Sequence, residues 1–179
     1  MSNLWVFGYG SLMWRPGFPH IDTRPARLSG FHRALCIYSW VHRGTQERPG
    51  LVLGLDKGGS CRGMAFEVAE ADKDQVITYL RAREQVTMVY LEHVQPITLE
   101  GGTAEQVDAL CYVVDSTHEQ YAGALPLESQ VQIVREGIGQ SGANPEYVLN
   151  TADHLAELNI EDPDMQWLAT RLRETEIQD

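Results

Sequence analysis

A change in the pattern of apolar residues, between Val114 and Pro126, limits how this sequence can fold more than any other feature. Before it, short runs rich in β-branched and aromatic residues are separated by glycine turns, a pattern typical of strands. After it, apolar residues recur at helical spacing. We therefore expect an α+β fold with a small, strongly curved or barrel-like sheet, one embedded helix and a helical C-terminal region.

The individual elements follow from the same pattern. Strands are expected at about residues 4–7, 34–41, 51–55, 63–68, 90–99 and 107–114. The glycine pairs Gly58-Gly59 and Gly101-Gly102 are expected to form turns between neighbouring strands. Helices are expected near residues 70–84, 126–139, 145–158 and 163–174. Pro145 and Pro163 begin the last two, because proline is tolerated in a first helical turn.

Length and charge exclude some classes of protein. The 179 residues contain no repeat, low-complexity tract or linker-like stretch, so we expect a single domain over residues 1–179. Acidic residues number 25 against 14 basic ones, which argues against a nucleic-acid-coating protein. The first 50 residues nevertheless hold six arginines and two acids. Arginine pairs bidentately with carboxylates, so this segment either suits a small carboxylate-bearing ligand or forms a solvated surface.

No motif for a metal or for a membrane is present in the sequence. The cysteines Cys36, Cys61 and Cys111 have no CxxC spacing, and the histidines have no HxxxH or HExxH spacing. No stretch reaches the roughly 18 apolar residues of a membrane span, and the N-terminus does not resemble a signal peptide. We expect a soluble protein of the reducing cytoplasm with free thiols.

A glycine-containing turn directly after the first strand, Gly8-Tyr9-Gly10-Ser11-Leu12, is the first candidate site. Such a turn exposes consecutive backbone N–H groups that hold an anion or a developing oxyanion. We expect Gly10 to need a positive φ. Met13 stands where a dinucleotide-binding motif needs its third glycine, and a phosphate-binding G-K-[ST] is absent. A purely structural turn remains an alternative.

Glu84 is the second candidate, because it falls inside the apolar stripe of the predicted helix over residues 70–84. At about 100° per residue it lies on the side of Val76 and Leu80 rather than on the solvated face expected to hold Arg81 and Arg83. Burial raises the pKa of a carboxyl group, as a general acid/base near neutral pH requires. Two alternatives remain open: the helix ends before Glu84, or an arginine neutralises it as a structural ion pair.

Taken together, several blocks resemble the ChaC family of γ-glutamylcyclotransferases. They cover about residues 5–165 in the order found in the family: 5–14, 30–33, 42–53, 79–84, 121–123 and 142–147. The resemblance implies a small mixed α+β fold with a barrel-like sheet and no metal or organic cofactor. It also implies that Glu84 is the general base and that the γ-glutamyl group binds the loop formed by Gly8, Tyr9, Gly10, Ser11, Leu12 and Met13.

The activity that this resemblance implies is a lyase-type cyclotransfer on a small molecule. Glutathione would be cleaved to 5-oxoproline and Cys-Gly, with neither nucleic acid nor membrane as a partner. Many members carry glycines between the glutamate and the next tyrosine, whereas this chain has Gln85-Val86-Thr87-Met88-Val89, and bulkier residues there would narrow the pocket. Other γ-glutamyl amino acids or γ-glutamylamines are the alternative substrates. A non-catalytic ligand-binding relative is the alternative of another class.

Overall fold

The computed structural model describes residues 2–176, which divide into two units. The first unit comprises the residues up to 34 together with 54–118, and the second comprises 35–53 together with the residues from 119 onward. Two of the three boundaries fall within long strands, β2 (Asp22–Ser39) and β3 (Gly50–Val68), and the third follows residue 118. The single domain expected over residues 1–179 stays a prediction.

A closed five-stranded barrel lies at the centre of the first unit. The other three strands are β1 (Leu4–Gly8), β4 (Tyr90–Leu99) and β5 (Glu105–Val114), and the order around the barrel is β1-β3-β2-β4-β5. The ring closes because β1 pairs antiparallel with β3 and parallel with β5, where Trp5 faces Ala109. The predicted α+β fold with a barrel-like sheet is confirmed.

The embedded helix α1 (Lys73–Glu84) packs its apolar stripe into the core of the same unit. Val76 and Leu80 are fully buried. They belong to a cluster that also contains Val6, Leu12, Phe18, Phe66, Val68, Leu110 and Tyr112. The segment that follows β1 and the C-terminal end of α1 therefore share one core.

The turn expected at Gly58-Gly59 is wrong, because β3 runs through both glycines without interruption. They have φ angles of 103° and 68°, and the Nδ1 atom of His32 forms a hydrogen bond of 2.9 Å with the Gly58 carbonyl oxygen. Glycines in such conformations bend a strand without reversing it, and a small barrel needs such bends. The turn expected at Gly101-Gly102 does lie between β4 and β5.

The second unit contains the predicted C-terminal helices. They are α2 (Leu127–Glu136), α3 (Asn144–Glu157) and α4 (Pro163–Glu176), with a short hairpin of β6 (Ile138–Gly139) and β7 (Gly142–Ala143) between the first two. Pro145 and Pro163 stand in first turns as expected. The buried faces of these three helices include Val131, Val134, Val148, Leu155, Leu168 and Leu172. Within the described residues, no helix combines the length and the apolar character needed to cross a bilayer.

Candidate active site

Glu84 is the last residue of α1, one turn beyond the buried Leu80. Its side chain is only 17% exposed. The helix therefore includes Glu84, and the alternative in which it ends earlier and leaves this carboxylate in solvent is wrong. The N–H of Gln85 closes the last turn by donating to the Arg81 carbonyl oxygen at 3.0 Å.

Burial raises the pKa of the Glu84 carboxyl, and the positive charge of Arg83 offsets that rise only in part. The Nε atom of Arg83 lies 3.6 Å from Oε1 of Glu84, so the ion pair considered as an alternative is also present. Desolvation outweighs it. The direction of this shift is the one that a carboxyl group acting as a general acid/base requires.

We expect Glu84→Gln to raise the melting temperature at neutral pH. A carboxyl whose pKa is raised in the folded state stabilises the protein most below its unfolded pKa of about 4.3, and this contribution is lost as the pH rises through the folded pKa. The amide never ionises, so the variant escapes that loss. Thermal unfolding followed from pH 4 to pH 8 should show a gain that disappears on acidification, and a variant less stable at every pH would contradict the assignment.

The loop after β1 forms a single 3-10 turn at residues 11–13. The N–H of Met13 donates to the Gly10 carbonyl oxygen at 2.9 Å, and the N–H of Arg15 donates to the Ser11 carbonyl oxygen at 2.8 Å. The side chains of Leu12 and Met13 are buried, whereas Ser11 is exposed. The N–H groups of Ser11 and Leu12 precede the first hydrogen-bonded N–H of the turn and are the ones a short helical turn leaves for other acceptors.

The glycine that the loop depends on is Gly8. The expectation that Gly10 needs a positive φ is wrong. Gly10 has a φ of −133°, outside the left-handed region. A Cβ on Gly8 would lie 3.0 Å from the Cβ of Leu12 and 3.4 Å from the backbone nitrogen of Met13. The chain turns so sharply that it approaches its own backbone at Gly8, and this close approach requires the glycine.

Arg83 connects the end of α1 to the segment that contains the loop. Its Nη1 atom donates to the carbonyl oxygens of Arg15 at 2.7 Å and Pro16 at 3.0 Å. Its Nη2 atom donates to Oγ of Ser11 at 3.0 Å. Glu84 and the loop at residues 8–13, two features expected from the sequence, are thus joined through a residue that the sequence analysis placed elsewhere.

The prediction that Arg83 lies on the solvated face of the helix is wrong, since its side chain is only 21% exposed. A sequence signal for this position existed. Arg83 follows Val76 by two helical turns, so the two residues share one side of α1. The helical spacing that identified Glu84 would also have identified Arg83.

A second arginine, Arg33, supports the same loop from β2. It is buried, and its Nε atom donates to the Tyr9 carbonyl oxygen at 2.6 Å while Nη2 donates to the Arg62 carbonyl oxygen at 2.6 Å. Both acceptors are backbone oxygens, and such contacts fix the path of the chain. Arg33 belongs to a block that carries the family resemblance, but no local sequence pattern indicates this contact.

A chain of hydrogen-bonded polar side chains near Glu84 was not expected from the sequence. The hydroxyl of Tyr112 donates to Oε2 of Glu92 at 2.9 Å, and Arg81 forks onto the two Glu92 oxygens at 3.0 and 2.9 Å. Burial is the main cause that raises the pKa of Tyr112, followed by Glu92 and then by the negative charge of Glu84. Glu92 and Tyr112 face each other across β4 and β5, so only the strand register reveals the pair.

In the second unit, the blocks that resemble the family make structural contacts. The Asn144 side chain is fully buried, accepts the N–H of Leu51 at 2.8 Å and donates to its carbonyl oxygen at 2.9 Å. The N–H of Leu53 donates to the Tyr147 hydroxyl at 3.0 Å. These bonds hold the start of α3 against the start of β3.

The polar loop at residues 42–50 forms a turn and part of a pocket wall. The Thr45 N–H donates to the Arg48 carbonyl oxygen at 3.0 Å, and the Arg48 N–H donates to Oγ1 of Thr45 at 3.1 Å. A cavity of about 310 Å³ within the second unit is lined by Tyr38, Glu47, Arg48, Pro49, Ile133 and Glu136.

The residues that depart from the family pattern after Glu84 divide into two kinds. Val86 and Met88 are exposed, and Met88 has a φ of 59°. Val89 is buried, and its carbonyl oxygen accepts the N–H of Asp115 at 2.7 Å. Compared with the glycines of many family members, the larger side chain of Val89 therefore lies in the interior, whereas the side chains of Val86 and Met88 lie at the surface.

The three cysteines are free and buried. Burial raises the pKa of the Cys111 thiol to about 12. Across residues 2–176, no three histidine, cysteine, aspartate or glutamate side chains are grouped so that they could hold a metal ion.

Comparison with known proteins extends over nearly the whole chain. The family model described as ChaC-like protein matches residues 4–175. A glutathione-specific γ-glutamylcyclotransferase of Escherichia coli (strain K12) is 31% identical, covering 89% of this chain and 68% of that protein. One of Schizosaccharomyces pombe is 34% identical, covering 92% and 88%. A crystal structure of the yeast γ-glutamylcyclotransferase specific to glutathione has the same fold, with a TM-score of 0.86, 21% identity and 97% coverage of both chains.

Proposed function

This chain belongs to the ChaC family, and we propose that it cleaves glutathione to 5-oxoproline and Cys-Gly as a γ-glutamylcyclotransferase. The family match confirms the resemblance that the sequence blocks indicated. Relatives named for glutathione support this substrate. Within the chain, one observation carries the proposal: a half-buried carboxylate with a raised pKa, Glu84, is joined through Arg83 to the loop at residues 8–13.

The substrate supplies its own nucleophile in this reaction. The α-amine of a γ-glutamyl group attacks its own γ-carbonyl carbon and closes a five-membered ring, so no serine or cysteine is needed. Because the amine and the carbonyl belong to one molecule, the reaction avoids an entropic cost of about 7–11 kcal/mol that a bimolecular attack would carry. The protein then has to hold the two groups in the reactive geometry and to remove the first proton from the α-ammonium group.

Glu84 moves that proton in the proposed mechanism. A free α-ammonium group has a pKa of roughly 8, so it must lose a proton before it can attack. Glu84 accepts this proton and delivers it to the departing amide nitrogen as the carbon–nitrogen bond breaks. The attacking nitrogen gives up a second proton as it becomes the lactam N–H, and the released amine takes up one proton as it becomes an ammonium group. One carbon–nitrogen bond forms, one breaks, and no water is consumed.

The loop at residues 8–13 binds the γ-glutamyl group through its backbone. The N–H groups of Ser11 and Leu12 are the donors available to the substrate carboxylate or to the oxyanion that develops on the attacked carbonyl. The side chains of Leu12 and Met13 are buried, so they shape the turn from inside. Specificity for the γ-glutamyl end then rests on the conformation of the backbone.

Release of 5-oxoproline from glutathione tests the proposed function directly. Purified protein is incubated with glutathione, with several γ-glutamyl amino acids and with a γ-glutamylamine, and 5-oxoproline is quantified in each. Preference for glutathione supports the proposal, and preference for another γ-glutamyl compound replaces the substrate while keeping the reaction. Absence of product with every compound, at concentrations at which binding is measured, favours the non-catalytic relative.

We expect activity to survive exhaustive treatment with EDTA. The substrate supplies the nucleophile and Glu84 the proton transfer, so no step in this mechanism requires a metal ion. The measurement compares kcat/KM for glutathione before and after chelation and dialysis. Loss of activity that one defined metal restores would contradict this expectation.

The cytoplasm is the proposed location. Glutathione keeps thiols reduced in that compartment, and structural disulfides are rare there. The three cysteines of this chain are free thiols, which agrees with a reducing environment. Fractionation of cells that express the protein tests the location.

A further inference from the structure

Arg83 contacts two parts of the candidate site at once. On one side its guanidinium donates to the carbonyl oxygens of Arg15 and Pro16 and to the hydroxyl of Ser11. On the other side its Nε atom lies 3.6 Å from the Glu84 carboxylate. The hydroxyl of Tyr79, one turn earlier on α1, lies 3.1 Å from Nη1. The planar guanidinium of Arg83 thus forms a fork of hydrogen bonds that joins the end of α1 to the loop.

The geometry of these contacts requires an arginine. Guanidinium carries five N–H donors in a fixed plane, whereas the ammonium of lysine is a compact charge on a flexible stem. Two carbonyl oxygens, two hydroxyls and one carboxylate surround the Arg83 plane. A lysine would keep a positive charge near Glu84, but it could not reach acceptors on both sides.

We propose that Arg83 is a positioning residue that fixes the separation between the Glu84 carboxylate and the backbone N–H groups of the loop, so that both engage one γ-glutamyl group together. This proposal rests on the proposed function. The α-amine that Glu84 deprotonates and the carbonyl oxygen that the loop binds belong to the same small group. An error of about 1 Å in their separation costs on the order of 10²-fold in rate.

Arg83 also contributes a charge, and this contribution can be separated from the fork. Arg83 from its own helix is the charged group that acts on the Glu84 carboxyl. Tyr112 of β5, whose pKa the negative charge of Glu84 raises, is hydrogen-bonded to Glu92 of β4, and Glu92 pairs with Arg81. Arg83 is the positive group that offsets the effect of burial on the Glu84 pKa. Removing its charge should raise this pKa further and move the acid limb of the activity profile to higher pH.

Two substitutions separate the contributions, and a third is the control. Arg83→Met removes both fork and charge, so we expect kcat/KM for glutathione to fall by about 10²-fold and the acid limb to move to higher pH. Arg83→Lys removes the fork alone, so a fall of at least tenfold should occur with the acid limb near its wild-type position. Arg27→Met removes an exposed arginine that pairs with Glu100 at 3.6 Å on the same unit, and it should change neither quantity.

The readouts are normalised to folded protein, and the pKa of Glu84 is also measured by carbon NMR without turnover. If Arg83 acts only on stability, Arg83→Lys and Arg83→Met will lower the melting temperature while the kinetics per folded molecule match Arg27→Met, and this overturns the proposal. If Arg83→Met does not fold, Arg83→Lys alone tests the proposal. A fall in kcat/KM with an unmoved acid limb supports a positioning role for Arg83, and an unchanged kcat/KM overturns it.

Failure of the proposed function gives a different result. In that case wild-type protein releases no 5-oxoproline from any γ-glutamyl compound. The amide shifts of residues 10–12, compared between wild type and Arg83→Lys, and the NMR titration of Glu84, compared between wild type and Arg83→Met, still decide whether Arg83 couples the carboxylate to the loop. Unchanged amide shifts in Arg83→Lys together with an unchanged Glu84 pKa in Arg83→Met overturn the coupling whatever the reaction.

Discussion

Glu84→Gln is expected to lower kcat/KM for glutathione by at least ~10²-fold while the protein remains folded. The amide is nearly isosteric with the carboxylate, so it fits the half-buried position at the end of α1. It cannot accept the proton of the α-ammonium group. Since the same substitution is expected to stabilise the protein at neutral pH, a loss of activity cannot be attributed to unfolding.

The control for this experiment is Glu105→Gln, which removes the charge of a glutamate that is 62% exposed on the same unit. It should leave kcat/KM unchanged. Substrate binding by Glu84→Gln, measured by calorimetry with glutathione, should persist because the loop is intact. Turnover of Glu84→Gln within tenfold of wild type would remove Glu84 as the base and leave burial as the explanation of its pKa.

Gly8→Val is expected to reduce kcat/KM per folded molecule by at least about tenfold, far more than Ser11→Ala. The first added carbon already lies 3.0 Å from the Cβ of Leu12, which is buried in the core. The turn must therefore move, and with it the N–H groups that the substrate uses. Overpacking of this kind also costs about 1–3 kcal/mol of stability.

Ser11→Ala removes one acceptor of Arg83 and leaves the backbone unchanged. The loss of one such hydrogen bond amounts to about 1 kcal/mol, or a few-fold in kcat/KM. Gly102→Val is the matched control, because the nearest atom to its new Cβ is the flexible Arg24 guanidinium at 3.4 Å. If Gly8→Val does not fold, Gly8→Ala replaces it. Equal kinetics for the Gly8 variant and Gly102→Val would take the loop out of the active site.

Local pattern was sufficient to predict most of the fold. Helical spacing located α1 to α4 to within a few residues, and Pro145 and Pro163 marked two of their first turns correctly. The error at Gly58-Gly59 has a physical origin. The same pair of glycines serves a reversal or a bend, and only the closure of the barrel, which depends on distant strands, selects the bend.

Residues of the candidate site could be predicted only where apolar residues recur at helical spacing beside them. Glu84 was found because it shares a helix face with Leu80, and Arg83 was missed although its spacing carried the same information. The contacts of Arg83 with residues 11–16 and of Tyr112 with Glu92 join segments far apart in the chain. Their partners follow from strand register and loop path, which no local pattern encodes.

The parallel pairing of β1 with β5 has a consequence for how the protein is made. Trp5 emerges from the ribosome first, yet its partner Ala109 follows roughly a hundred residues later. Contacts between such distant residues form slowly, because the intervening chain must lose entropy before they contribute. We therefore expect the loop that follows β1 to reach its final shape late, after β5 has been synthesised and the barrel has closed.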